Sequence, residues 1–130
     1  MNKRVEKMDV LEKVVHIDKE ATDFGFKWSH YSELIHQIKS ECEEIQADIE
    51  ANQPPEKIQE ELGDLIHATL SFCLFMGFDP KATLDLSLTK FSKRFEMVKT
   101  LAKETGLKTL ENQPMDVLMT FWEKAKESTC

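Results

Sequence analysis

The sequence predicts an all-α protein, an antiparallel bundle of about five helices. Apolar residues recur at spacings of three and four along most of the chain, and the strict alternation typical of strands persists nowhere. Prolines and glycines divide this periodicity into segments of helical length. The 130 residues, of which 41% are hydrophobic, suffice for one hydrophobic core, so we expect a single domain over 1–130 with its core at about 23–126.

The N-terminal segment predicts one helix followed by an aromatic loop. Apolar residues at helical spacing extend from Val5 to about Ala21. The segment Asp23–Trp28 breaks this repeat, because it sets a glycine among three aromatic residues. Such a loop either fills the core or lines a pocket. We expect Phe24 in the core, and for Trp28 both roles stay open.

Two long helices joined by a proline turn follow. Ser29 is the expected N-cap of a helix from Tyr31 to Glu50. Asn52–Pro55 ends that helix and starts the next, since proline is tolerated in a first turn but not in an interior. The next helix is expected from about Glu56 to Met76, and the short link makes the two helices antiparallel neighbours. The apolar stripe of the earlier helix consists of Leu34, Ile38, Cys42, Ile45 and Ile49.

The C-terminal half predicts two more helices. Gly77 is a stop signal, and Asp79 followed by proline is an N-cap and first turn. The helix they open runs to about Glu104, where Gly106 ends it, and Pro114 opens the last helix. A strict alternation of steps of four and three predicts that the longer helix is central to the bundle. Its stripe consists of Leu84, Leu88, Phe91, Phe95, Val98 and Ala102.

Two acidic pairs lie on the antiparallel helices. Glu41 and Glu44 are three residues apart beside the apolar stripe of one helix, and Glu61 and Asp64 repeat this spacing on the next. Neither pair is followed four residues later by a lysine that would form a surface ion pair. Four crowded carboxylates repel one another, and a divalent ion removes that cost. Because oxygen ligands suit hard cations, the pattern predicts Mg²⁺, with Mn²⁺ as a possible substitute.

Other metal sites fit the sequence less well. The four histidines form no HxxxH or HExxH arrangement. His67 follows Asp64 by three residues, so we considered a di-iron carboxylate bundle. That class requires a Glu-x-x-His motif on each of two helices, and the sequence has no second copy.

Three cations and a tryptophan accompany the acidic rows. Lys57 lies one turn before Glu61, and Lys90 and Arg94 lie four apart on the flank of the long helix. They are either ordinary surface cations or phosphate contacts, for which arginine offers a bidentate fork. Trp122 is either a core residue or one that stacks on a nucleobase.

Composition excludes several classes of function. The net charge of −7 argues against binding of DNA or RNA, which needs a basic footprint. No apolar run approaches the ~20 residues that span a bilayer, and the first residues are too charged for a signal peptide. Cys42 and Cys73 fall on apolar faces, so we expect buried reduced thiols and a cytoplasmic location. Cys130 ends the chain.

Together these motifs resemble the MazG-type all-α nucleoside triphosphate pyrophosphohydrolases. The signature of that family is ExxE followed by ExxD on adjacent helices, here Glu41–Glu44 and Glu61–Asp64. The likeness extends over roughly Asp23 to Lys126 and is greatest to the C-terminal domain of two-domain members, although this sequence has one copy. It includes Asp23–Trp28, the Lys90–Phe95 stretch KFSKRF and Trp122. One departure is Gln37, where members can carry a lysine one turn before the first glutamate.

The resemblance implies a set of roles. The catalytic, metal-binding carboxylates are Glu41, Glu44, Glu61 and Asp64. Lys57, Lys90 and Arg94 contact the triphosphate, and Trp122 lies near the nucleotide. A homodimer or higher homo-oligomer is also implied.

Three functions remain open from the sequence. The first is Mg²⁺-dependent hydrolysis of nucleoside triphosphates to the monophosphate and pyrophosphate. The second is a non-catalytic nucleotide-binding or dimerisation bundle, and Gln37 is the only feature of the sequence that favours it. The third is a neighbouring enzyme, either a dUTP or dCTP specialist or a phosphoribosyl-ATP pyrophosphohydrolase. Base and sugar preference do not follow from the sequence.

Overall fold

A computed structural model describes residues 3–129, and this part of the chain contains only helices and their connections. The all-α prediction is therefore confirmed. No single helix within these residues is both long enough and apolar enough to cross a membrane. The helices are α1 (Lys3–Glu6), α2 (Val10–Phe24), α3 (Tyr31–Glu50), α4 (Pro55–Phe75), α5 (Pro80–Glu104) and α6 (Met115–Thr129).

Residue contacts divide the chain into two compact units, Met1–Thr83 and Leu84–Cys130. In the first unit α3 packs along α4, α2 packs against α4, and α1 packs against α2. Leu34 and Ile45 of α3 are buried, so the stripe predicted for this helix does face a core. The single-domain interpretation of the sequence stays a prediction.

The first helix differs from its prediction. The helix expected from Val5 to about Ala21 is interrupted, and only four residues precede the break. The cause is Asp9, whose Oδ1 accepts a hydrogen bond from the backbone N–H of Leu11 at 2.9 Å. An aspartate that satisfies a free N–H in this way caps a new helix instead of continuing an old one.

The N-cap of α3 is His30, and the prediction of Ser29 is wrong by one residue. The His30 ring nitrogen Nδ1 accepts from the N–H of Ser32 at 3.1 Å. Glu33 reaches back and accepts from the N–H groups of His30 and Ser29, at 2.9 and 2.8 Å, and from the Ser29 hydroxyl at 2.8 Å. These donors lower the pKa of Glu33, and the Ser29 hydroxyl contributes most. The reciprocal bonds form a capping box.

Two predictions of burial in the first unit are wrong. Phe24 is 89% exposed and therefore does not plug the core. Its helix ends one residue later at Gly25, whose φ of +98° turns the chain away from the helix axis. Cys42 is exposed, since the α3 stripe is buried only in part, whereas Cys73 is partly buried. Both cysteines are free thiols, and Cys130 lies outside the described residues.

The helix ends predicted for the C-terminal half are confirmed. Gly77 adopts a left-handed φ of +83° directly after α4. The Asp79 carboxylate accepts from the N–H of Ala82 at 2.9 Å, as expected of an N-cap that precedes proline. Gly106, with φ +87°, follows the last residues of α5, and α6 begins immediately after Pro114.

The second unit has a small core where α5 meets α6. Buried Val98 and Ala102 of α5 pack with buried Phe121 and Ala125 of α6. The N-terminal part of the α5 stripe lies outside this buried core, and the prediction that α5 is central to the bundle stays a prediction. The exposed members are Leu84, Leu88, Phe91 and Phe95, at 43–55%.

Removal of the Leu34 side chain should destabilise the first unit strongly. Leu34 is fully buried, and Leu34→Ala should lower the free energy of unfolding by about 2–5 kcal/mol, because it removes apolar contacts and leaves a cavity. The measurement is urea denaturation followed by circular dichroism. Ile66→Ala is the control within the same unit, because Ile66 is 60% exposed and its loss should change stability by about 0.5 kcal/mol or less. Equal losses in the two variants would contradict the burial of Leu34.

Candidate functional site

The acidic row of α3 contains three carboxylates with different exposure. Glu41, Glu44 and Asp48 lie at spacings of three and four, so they share one side of the helix. Glu41 is only 8% exposed and is the one buried charged residue in the described part of the chain. Glu44 is exposed, and the Asp48 side chain is 16% exposed. The two ends of the row are therefore largely shielded from solvent, and its middle residue is exposed.

The matching row of α4 contains Lys57, Glu61 and Asp64. Pro55 occupies the first turn of this helix, so the row begins just after the connection from α3. Lys57 Nζ lies 3.8 Å from Asp48 Oδ1, an ion pair that joins the two helices near their connection. Glu61 is partly buried and Asp64 is exposed. The packing of α3 along α4 thus brings the two predicted rows to one side of the first unit.

Asp48 is the neighbour that most strongly changes the pKa of Glu61. The pKa of Glu61 is raised from its ordinary 4.5 to about 7. The main cause is a hydrogen bond with Asp48, which requires a proton on one of the two acids. Desolvation, repulsion from Asp48 and repulsion from Glu44 act in the same direction, and the attraction of Lys57 only partly offsets them. Without a cation, Glu61 therefore titrates near neutral pH, well above the ordinary range of a glutamate.

Three carboxylate oxygens of the site are shielded from solvent and have no hydrogen-bond partner. They are Glu41 Oε2, Asp48 Oδ2 and Glu61 Oε2. Buried polar atoms are almost always paired, so each of these oxygens calls for a proton, a water or a cation. Oxygen atoms of this kind are the ligands that Mg²⁺ and Mn²⁺ prefer. Within residues 3–129, however, no three His, Cys, Asp or Glu side chains converge closely enough to form a ready metal-binding group.

The structure brings some of the predicted residues together more closely than others. Glu61 interacts electrostatically with Asp48, Lys57 and Glu44, and Asp48 also forms the ion pair with Lys57. Glu41 is held separately by Gln37, whose Nε2 donates to Glu41 Oε1 at 2.8 Å. Asp64 lies one turn beyond Glu61 on the exposed surface of α4.

Asp48 is a site residue that was not among the predicted ones. Its position in the row of Glu41 and Glu44 was visible in the sequence, but an aspartate outside the ExxE spacing is typical of a solvated surface. The signal that could have identified it is its place across the proline turn from Lys57, since antiparallel helices bring residues equally far from a turn together.

The remaining predicted residues lie in the second unit. The Arg94 guanidinium is 5.9 Å from the centre of the Trp122 ring, and the Phe91 ring lies 5.4 Å from the same tryptophan. Trp122 also packs against the core of this unit, so it is at least partly a core residue. Arg94 Nε is shielded from solvent without a hydrogen-bond partner, and Lys90 is exposed.

Comparisons with known proteins identify the family that the chain resembles. Residues 29–99 match the family described as the MazG nucleotide pyrophosphohydrolase domain. The chain is 34% identical over 110 residues to the nucleoside triphosphate pyrophosphohydrolase/pyrophosphatase MazG of Thermotoga maritima, a match that covers 85% of this chain and 41% of that protein. It is 23% identical over 120 residues to a nucleoside triphosphate pyrophosphohydrolase of Escherichia coli K12, covering 92% of this chain and 45% of that protein. The chain thus spans less than half the length of these relatives.

Replacement of Asp48 should release the proton of Glu61. In the metal-free protein, Asp48→Asn removes a negative charge and replaces one acceptor oxygen with a donating NH₂ group, so the pKa of Glu61 should fall from about 7 towards 4.5. The measurement is an NMR titration of the glutamate side-chain carboxyl carbons. Folded Glu61 binds its proton more tightly than the unfolded chain does. Its contribution to stability is therefore present below pH 4.5 and is lost as the pH rises to about 7.

Glu43→Gln is the matched control for this titration. Glu43 is an exposed acid on the same helix, and its replacement removes the same charge. A Glu61 titration that moves equally in both variants would show that general charge, and not contact with Asp48, sets this pKa.

Proposed function

This chain belongs to the MazG nucleotide pyrophosphohydrolase family, and we propose on that basis that it hydrolyses nucleoside triphosphates to nucleoside monophosphates and pyrophosphate with the help of Mg²⁺. The observation that carries the proposal is the family match over residues 29–99, which contains both acidic pairs, Lys57, Lys90 and Arg94. The names of the Thermotoga and Escherichia relatives state the same activity for those proteins.

The proposed metal ligands are Glu41, Glu44, Glu61 and Asp64. The donor set consists entirely of carboxylate oxygens, which suits Mg²⁺ or Mn²⁺. Support comes from the shielded oxygens of Glu41 and Glu61, which have no hydrogen-bond partner in the protein. When bound, the metal would polarise the α-phosphoryl group, lower the pKa of the attacking water and neutralise the leaving pyrophosphate.

The cations of the chain would bind and orient the triphosphate. Lys57 is held beside the acidic rows by its ion pair with Asp48, which supports a contact with a phosphate group. Arg94 and Trp122 lie together in the second unit, which supports a joint role of guanidinium and indole towards the nucleotide. Lys90, one turn before Arg94, would add a second positive charge. Trp122 lies outside the family match, so its role rests on this contact and on the resemblance alone.

The proposed reaction is a displacement at the α-phosphorus. A water oxygen forms a bond to phosphorus while the bond from phosphorus to the bridging oxygen breaks, and pyrophosphate leaves with that bonding pair. One of the site carboxylates would accept the proton of the water. Positioning and electrostatic stabilisation supply most of the catalysis in phosphoryl transfer, so the paired rows of α3 and α4 suit this chemistry.

We also propose that the chain forms a homodimer or a higher homo-oligomer and functions in a reducing cytoplasm. Large apolar side chains are widely exposed, among them Phe24 at 89%, Phe26 at 82%, Leu86 at 74% and Met115 at 68%. Apolar surface of this extent marks interaction sites in soluble proteins. The free thiols of Cys42 and Cys73 are consistent with a reducing compartment.

Glu61→Gln should abolish most of the pyrophosphohydrolase activity. The substitution removes a metal ligand, and loss of several kcal/mol of charge stabilisation corresponds to a fall in kcat/KM of roughly 100-fold or more. The measurement is ion chromatography of a panel of nucleoside triphosphates incubated with protein and Mg²⁺. Glu43→Gln is the control and should retain wild-type activity, because Glu43 faces solvent on the opposite side of α3 from the acidic row.

The same assay separates the alternative functions. Orthophosphate as the product would refute the proposal, as would full activity of Glu61→Gln. Calorimetric binding of a Mg²⁺–nucleotide with no product after long incubation would favour a non-catalytic nucleotide-binding bundle. Turnover confined to dUTP, dCTP or phosphoribosyl-ATP would assign the chain to a specialised branch.

The oligomer proposal is tested by sedimentation velocity. Because the exposed apolar surface should be covered by further copies, the protein should sediment as a multiple of its chain mass of 15.1 kDa. A single species of 15.1 kDa throughout the micromolar range would contradict the proposal.

A further inference from the structure

Glu41 is held in an incomplete polar environment. The residue is 8% exposed, and only its Oε1 has a partner, the side-chain amide of Gln37 at 2.8 Å. Oε2 is shielded from solvent and accepts no hydrogen bond. A buried carboxylate is costly unless its charge is compensated, and one neutral donor compensates only part of it. The free oxygen therefore remains a strong acceptor for a cation.

Gln37 acts on Glu41 without removing its charge. An ionised carboxylate only accepts hydrogen bonds, so the donating NH₂ group of Gln37 must face it. The bond holds Oε1 and leaves Oε2 as the unpartnered oxygen. A lysine at this position would instead place a positive charge one turn from Glu41 and compete with a metal for it.

We propose that Gln37 is a positioning residue for metal binding: its neutral amide holds one oxygen of Glu41, so that the other oxygen of the still negative carboxylate is presented to the divalent cation. This inference rests on the proposed metal dependence of the enzyme. It assigns to Gln37 a role different from that of a cation at this position, which would neutralise Glu41. Partners that orient metal ligands typically contribute 10- to 100-fold in metal affinity.

Gln37→Met tests the inference with Mn²⁺ alone as the probe. Methionine is of similar length and helix propensity but donates no hydrogen bond. The affinity for Mn²⁺, measured by electron paramagnetic resonance of the free ion and by calorimetry without nucleotide, should fall about 10- to 100-fold. Gln37→Lys should weaken Mn²⁺ binding at least as much. Circular dichroism of each variant verifies that the helices are intact.

The chain contains a matched control on the same helix. Gln46 Nε2 donates to Glu50 Oε1 at 3.0 Å with the same spacing of four residues, but on an exposed part of α3. Gln46→Met should therefore leave Mn²⁺ affinity unchanged. Equal affinities of the wild type, Gln37→Met and Gln46→Met would overturn the inference, and so would wild-type affinity in Gln37→Lys.

A double-mutant cycle separates positioning from a general structural effect. If Gln37 acts through Glu41, then Gln37→Met should weaken Mn²⁺ binding in the wild type but have no further effect in a Glu41→Gln background. Additive losses would overturn the inference. The role of Gln37 and the proposed function are tested by different measurements. Mn²⁺ affinity alone tests Gln37, whereas pyrophosphate release tests the proposed function. A wild-type protein that does not bind Mn²⁺ would overturn the inference even if it produced pyrophosphate.

Discussion

The packing of α3 along α4 imposes the constraint on which the candidate site depends: it draws carboxylates into a region where their charge is poorly solvated. The two helices pack along each other, and the acidic row of α3 lies beside a stripe whose residues Leu34 and Ile45 are buried. Glu41 is buried as a consequence, and Asp48 and Glu61 each keep a shielded oxygen without a partner. Such an arrangement is unfavourable for the isolated chain unless protons or cations complete it.

The network around Asp48 shows how the metal-free chain accommodates this charge. Asp48 forms an ion pair with Lys57, and its proximity raises the pKa of Glu61, which favours the neutral form of that acid. Entry of a divalent cation would displace that proton, because metal binding requires ionised carboxylates. Under the proposed metal dependence, proton and metal would compete for the same oxygens, because the acids of α3 and α4 would have to ionise before they bind the cation.

The two units bury little apolar surface relative to their number of apolar residues. The described core of the second unit is confined to the contact of α5 with α6, while neighbouring aromatic residues such as Phe91 and Phe95 stay about half exposed. Phe24 and Phe26 are exposed in the first unit as well. Such a surface is typical of interaction sites, and the proposed assembly with further copies would cover it and stabilise the folded chain.

Local sequence was sufficient for much of the fold because helix ends depend on nearby residues. The bounds of α3 and α5 agree with the prediction, and Gly77, Asp79 and Pro114 act at the expected helix ends. The errors at the starts of α2 and α3 also have local causes. The side chains of Asp9 and His30 accept hydrogen bonds from the backbone N–H groups of Leu11 and Ser32, and these bonds fix where the two helices begin. The spacing of the two acidic pairs was likewise a property of the sequence alone.

By itself, the sequence determined the helices, the two acidic rows and the family to which they belong. Tertiary structure decided which carboxylate is buried, which pair shares a proton and which apolar residues stay exposed. Periodicity shows which side of a helix a residue occupies, but not what lies opposite. The roles of Glu41, Asp48 and Gln37 depend on what lies opposite them or on how deeply the packing buries them. Solvation and through-space contacts set those roles, and neither can be deduced from spacing along one helix.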